Sequence, residues 1–343
     1  WWFEWYDLAV NKNARGQFLA PGDSGGSCFK HMANGEKVLA GVTSTVYNHW
    51  DATFNGLVGV DTFRAWYAGI VTPSTTVIQQ WGQAGDVPIT GDFDGDGLSD
   101  FTVWRPGDGY WHVRNSVTGA VRSQQWGMNG DIPVTGDFDK DGRPDFTIWR
   151  PSDGYWHSLS SVTGLVRSQQ WGVWGDIPVP GDYDKDGQTD FAVWRPSNGV
   201  WFVINSSTGA IRTQQWGQAG DKPVAGDHSG DGYTDFAVYR PGTGTWFVFN
   251  SVTGAMTGQA WGEAGDIPST AHLGCHATNN SGLAIYRQWS GMFWVHGLPV
   301  TAVGAQGDIP VTANYRGLSS PDLAVWRPSN GTWYVQTTTT PCP

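Results

Sequence analysis

A 45-residue step governs the last three-quarters of this 343-residue chain. The run Asp-x-[Asp/Ser]-x-Asp-Gly-x-x-Asp begins at Asp92, Asp137, Asp182 and Asp227, each start 45 residues after the last and each preceded by glycine. Trp-Gly pairs keep the same step at Trp81, Trp126, Trp171, Trp216 and Trp261, with a degenerate Val303-Gly304 as a sixth. Arg-Pro pairs follow at Arg105, Arg150, Arg195, Arg240 and Arg327, while Arg287 has lost its proline. A chain built this way must bury its apolar faces by stacking like units. Periods of about 40 to 50 residues with several strands per unit indicate propeller blades.

Within one unit we read strands at Val134–Asp137, Phe146–Arg150, Tyr155–Ser160 and Leu165–Trp171, with an acidic loop between the first two. Alternation such as Phe146/Ile148 against Thr147/Trp149 has the period of two expected of strands. The abundance of Gly (48) and Pro (19) suits short strands and tight turns. The last unit stops after its third strand, and residues 76–82 form a fourth strand with no unit in front of it. Pairing the two would close the ring and remove its exposed edges. This reading predicts an all-β chain with a six-bladed propeller of four-stranded blades over 75–343, a seven-bladed ring being the alternative. The repeated Trp residues are expected to pack between blades. The competing reading makes them sugar-stacking platforms.

The acidic loops carry the metal chemistry. Asp at loop positions 1, 3, 5 and 9 can converge if the backbone curls at the Gly of position 6, and Ca²⁺ takes about six to eight such oxygens. The predicted ligands are Asp92, Asp94, Asp96 and Asp100; then Asp137, Asp139, Asp141 and Asp145; then Asp182, Asp184, Asp186 and Asp190. The fourth set, Asp227, Ser229, Asp231 and Asp235, substitutes a serine and is expected to bind more weakly, so three to four ions are predicted. The alternative is that these Asp residues make turns without any ion, although convergent unpaired carboxylates repel one another. The closing acid at position 9 and the flanking strands separate these loops from EF-hands. The pattern resembles the FG-GAP or VCBS repeats of integrin-type propellers, and that resemblance implies calcium between the first two strands of a blade. Unit five (His272 to His276) and unit six (Asn314-Tyr315-Arg316) depart from the pattern and are expected to bind no metal.

The net charge of -11 excludes nucleic acid as an expected partner, because no basic stripe is available for phosphates. No run of about 20 apolar residues predicts a membrane span. The three cysteines, Cys28, Cys275 and Cys342, fit no zinc spacing. Cys275 falls in the 1–2 loop of unit five and Cys342 after strand 3 of unit six, positions that emerge on one face of neighbouring blades. A Cys275–Cys342 disulfide is therefore expected, and with it a secreted, extracellular setting.

A second motif, Gly22-Asp23-Ser24-Gly25-Gly26-Ser27, precedes a strand pattern at 38–44 and a helix pattern at 62–71. In that order these resemble the C-terminal part of a trypsin-like serine protease over residues 1–74. The resemblance implies Ser24 as nucleophile, the N–H groups of Gly22 and Ser24 as oxyanion hole, and Asp23 as the partner of a freed N-terminus on zymogen activation. No His or Asp in a matching context accompanies Ser24, and a serine without its base is a weak nucleophile. Those partners would lie in a missing N-terminal half, which leaves this chain inactive by itself. Two functions are expected: a secreted serine endopeptidase whose propeller binds a protein or glycan surface, or a non-enzymatic, lectin-like adhesion propeller.

Overall fold

The computed structural model describes residues 76–271, 282–296, 300–317 and 322–336, together with short strands at Tyr6–Asp7, Lys12–Asn13, Ser27–His31 and Lys37–Val42. The chain divides into two compact units, Trp1–Pro73 with Pro299–Thr301, and Ser74–Leu298 with Ala302–Pro343. In the first unit Tyr6–Asp7 pairs with Lys12–Asn13, and Ser27–His31 pairs with Lys37–Val42, both antiparallel. The second of these hairpins covers most of the strand expected after the serine motif. Ser24, Gly22, Asp23 and the expected terminal helix lie outside the described residues.

The second unit is a six-bladed propeller. Its described residues form six antiparallel four-stranded sheets, each taking consecutive strands in order except the last. Blade one consists of Val87–Ile89, Phe101–Arg105, Tyr110–Arg114 and Val121–Gln125. Blade two repeats it with Ile132–Val134, Phe146–Arg150, Tyr155–Leu159 and Val166–Gln170. Blade six takes Ile309–Pro310, Leu323–Arg327 and Thr332–Gln336 from the end of the chain and its outer strand, Thr76–Gln80, from the beginning. Thr76 pairs with Gln336 and Gln80 with Thr332, as the incomplete last unit required.

The innermost strand is the one misplaced by sequence. It occupies Ile132–Val134, not 134–137, because the Asp137 carboxylate is taken up by the loop that follows. Burial follows position in the blade. The second strand of blade two is covered on both faces, Phe146 through Trp149 all being buried, whereas its outer strand alternates exposed and half-buried residues. The core lies between blades: Phe146 and Ile148 of blade two cluster with Trp104 and Trp111 of blade one, and Phe191 and Val193 of blade three with Trp149 and Trp156 of blade two.

Tryptophan fixes this packing by hydrogen bonds as well as by area. In blade two the indole N–H groups of Trp149 and Trp156 both donate to the carbonyl of Trp171, at 3.1 and 2.9 Å. The Trp171 indole in turn reaches into blade three and donates to the Phe202 carbonyl at 3.0 Å. The same relay closes the ring: Trp326 and Trp333 donate to the Trp81 carbonyl, and the Trp81 indole donates to His112 O of blade one at 3.1 Å. The repeated tryptophans are therefore packing residues. Two described ones escape the pattern, Trp174 (80% exposed) and Trp289 (66%).

Candidate metal centres

Each acidic loop is anchored before any ion is considered. In blades one, two, three and six the aromatic residue at position 2 enters the gap between blades and stacks on the first residue of the next blade's second strand. The pairs are Phe93 on Phe146 (5.4 Å between centroids), Phe138 on Phe191 (5.0 Å), Tyr183 on Phe236 (5.3 Å) and Tyr315 on Phe101 (5.3 Å). The position-9 aspartate is buried and joins two loops. Asp190 accepts the Tyr183 N–H at 3.0 Å and, from the turn between strands three and four, the Ser206 N–H at 2.8 Å. Asp100, Asp145 and Asp235 make the equivalent pair of bonds.

The expected curl is present. Asp92 accepts the N–H groups of Gly95, Asp96 and Gly97, and Asp137 and Asp182 bind those of positions 5 and 6. Gly97, Gly142 and Gly187 take φ of 88°, 91° and 84°, which a Cβ would oppose. The glycine before each loop has a separate reason. A Cβ on Gly136 would lie 2.6 Å from Thr189 Cγ2, and one on Gly181 would lie 2.6 Å from Thr234 Oγ1. The next blade's loop packs onto that backbone.

Carboxylate oxygens converge within 4.8 Å in three loops: Asp92, Asp94 and Asp96; Asp137, Asp139 and Asp145; Asp182, Asp184 and Asp190. Each cluster holds three of the four acids predicted. Asp100 stays outside the first group. Asp141 and Asp186 stay outside the other two, each accepting a backbone N–H two residues on, from Arg143 and Gln188. The fourth loop forms no such cluster among the described residues. There the Ser229 N–H turns onto Asp235, and Asn250 from the outer turn donates to Asp231 at 3.0 Å. The fifth loop, with Cys275, and the tail, with Cys342, lie outside the described residues.

The clusters fit a hard cation. Their donors are oxygens alone, and no ion pair between described residues reaches them. Burial and the neighbouring Asp94 carboxylate push Asp100 up to about 7. Burial raises Asp145 and Asp190 to about 6, with Asp139 and Asp184 adding repulsion. Asp137 and Asp184 are raised as well, burial again the largest cause. A group so placed either keeps a proton or acquires a positive partner. Blade six shows the second solution. Arg316, at position 3, places its guanidinium 2.7 Å from the buried Asp322 of position 9. In blade four, burial opposes ionisation of Asp231. Bonds from the Tyr233 N–H, Asn250 and Ser229, with the Lys185 charge, outweigh it and hold its pKa below the usual value.

A second set of acids was not recognised from sequence. Asp86, Asp131, Asp176, Asp221, Asp266 and Asp308 precede the innermost strands, and each binds the arginine ending its blade's second strand through two parallel bonds. These carboxylates are 1% exposed, and each also accepts a turn N–H three residues before it. The signal was available: an Asp stands 19 residues before Arg105, Arg150, Arg195, Arg240 and Arg327. This clamp holds the opposite end of the blade from the acidic loops.

A profile of the FG-GAP-like repeat matches residues 182–238, which run from the third acidic loop through the rest of blade three and the fourth acidic loop into the second strand of blade four. No curated protein matches the chain. Among solved structures, BBS1N in complex with ARL6DN is similar at 10% identity, covering 78% of this chain and 98% of that one, with a TM-score of 0.47. A lectin of Agrocybe aegerita that recognises non-reducing terminal N-acetylglucosamine is similar at 12% identity (72% and 75% covered, TM-score 0.46). TolB from Acinetobacter baumannii is similar at 11% identity (71% and 65% covered, TM-score 0.46). What the chain shares with the matched profile is an FG-GAP-like repeat, carried here on a six-bladed β-propeller.

Proposed function

We propose that the propeller is a calcium-stabilised binding module. One observation carries the metal half of this reading. A three-carboxylate cluster recurs in blades one to three, from loop positions 1, 3 and 5 in the first and 1, 3 and 9 in the other two, with no ion pair to it among the described residues, while blade six supplies a guanidinium at position 3. Calcium suits the site because it accepts carboxylate and carbonyl oxygens in flexible geometry. Its residues would be Asp92, Asp94 and Asp96; Asp137, Asp139 and Asp145; and Asp182, Asp184 and Asp190. When bound it would supply charge neutralisation, and the loops' own hydrogen bonds would hold the carboxylates in place. Calorimetric titration of metal-stripped protein tests this. Saturable calcium uptake supports it, and none, with a melting temperature indifferent to chelator, rejects it.

The binding half rests on Trp174 and Trp289, large aromatics that the packing pattern leaves exposed. Such rings offer apolar contact for a protein or glycan surface. A glycan array and a pull-down with Trp174→Ala and Trp289→Ala test it: ligand capture unchanged in both variants removes these residues from the reading.

For the preceding unit the proposal is that it belongs to a trypsin-like endopeptidase with Ser24 as nucleophile, resting on the Gly22–Ser27 motif and the strand after it. Coding sequence upstream with His and Asp in protease context supports this reading. A signal peptide directly before Trp1 removes it. Secretion and the Cys275–Cys342 disulfide are proposed together, and free thiols at both positions in native material overturn them.

A further inference from the structure

Lys140 and Lys185 occupy position 4 of the second and third acidic loops with φ of 64° and 60°, a left-handed conformation that L side chains rarely adopt. The same position is Gly95 in blade one and Gly230 in blade four, with φ of 79° and 78°. The backbone here is thus glycine-like, yet two blades carry lysine. The Lys185 side chain leaves its own loop and crosses to blade four. Its ammonium donates to the Asp231 carbonyl at 2.6 Å and lies 5.4 Å from the Tyr233 ring centroid. Its end covers Gly232, where a Cβ would meet Nζ at 2.7 Å. A second bond runs between the same loops, from the Thr234 N–H to the Asp182 carbonyl at 2.8 Å. Blade four is also the acidic loop whose carboxylates do not converge.

We infer that Lys185 is the resident cation of the fourth loop and carries cation occupancy from blade three into blade four, a statement that rests on the calcium reading above. Lys185 stands between Asp184 and Asp186. A cation drawing Asp182, Asp184 and Asp190 together fixes the backbone from which the lysine projects, and so fixes its grip on Asp231 and Gly232. Blade four is then ordered by an ion it does not bind. Lys140 serves as an internal contrast. Its chain lies over Gly187, with Cε 3.4 Å from where a Cβ would stand, but that loop keeps its own carboxylate cluster.

The test combines calcium calorimetry with hydrogen exchange of the whole chain. Three equivalents of calcium are expected, with amides of 230–233 gaining protection at the midpoint of blade three. Lys185→Gly restores the residue found at this position in two other blades, so folding is not at issue. It should keep three equivalents and lower the calcium-dependent protection of 230–233 by about tenfold, the scale of one charge-assisted hydrogen bond. Lys185→Arg should retain that protection. A fourth equivalent bound by residues 227–235, or blade-four protection unchanged in Lys185→Gly, overturns the inference while leaving the calcium reading intact. No calcium uptake by any loop overturns both.

Discussion

Blades one to three and blade six answer the same electrostatic problem in opposite ways. In both, a buried aspartate at position 9 accepts the N–H of position 2 and anchors an aromatic ring between blades. In the first three blades further carboxylates are gathered nearby. In blade six the residue at position 3 is Arg316, and the positive charge is part of the chain. The lesson is that the fold requires the buried aspartate but not the source of its counter-charge. A bound ion makes stability depend on solution conditions. A guanidinium does not.

The comparison breaks most visibly on metal removal. Each site held at 100-fold over its dissociation constant contributes about 2.7 kcal/mol. With three sites, and each kcal/mol moving a domain of this size by about 2–4 °C, chelator should lower the melting temperature by on the order of 20 °C. Scanning calorimetry with and without EGTA measures it, and coincident transitions would end the distinction between the blades. Next in size, Arg316→Met should cost about 3–5 kcal/mol by stranding the Asp322 charge. The loss should be the same in calcium and in chelator, and a calcium-dependent loss would mean that blade six also uses metal.

Asp190→Asn sharpens the other side. It should remove one equivalent of calcium and about 2–3 kcal/mol of stability in calcium, with little loss in chelator. Denaturant unfolding under both conditions reads the difference, and an equal loss in the two would make Asp190 structural only. The smallest effect is on pH. Burial pushes Asp100, Asp145 and Asp190 up to about 7, 6 and 6 from 3.8, so their contribution to the stability of the metal-free protein is full below 3.8 and is lost as pH climbs through 6 to 7. Calcium binds the ionised form, so its affinity should rise over that window. Melting curves between pH 4 and 8 with chelator should slope downward by a few degrees, and an upward slope would contradict the raised values.

Much of the fold and part of the site were legible in the chain. The 45-residue step, the missing fourth strand of the last unit and the orphan strand at Thr76 led to six blades and their closure. The acidic loops were found as contiguous motifs, because ligands to one ion lie within nine residues of one another. What escaped was contact between residues far apart in the chain, within a blade and between blades. The Asp86–Arg105 clamp was hidden because its partners are 19 residues apart and only the arginine stood out as a landmark. The reach of Lys185 to Asp231 was hidden because 46 residues separate them.

The sequence by itself determined the blade, its 45-residue step and the gathering of acids in its loops, since periodicity, turn glycines and clustered carboxylates act over a few residues. Tertiary structure alone decided which carboxylates meet, where a guanidinium pairs with a buried aspartate, where a lysine crosses to the next loop, and which of the tryptophans remain at the surface. The reason is that electrostatic and packing energies depend on distance in space. In a closed ring the nearest neighbour of a loop is the loop of the next blade.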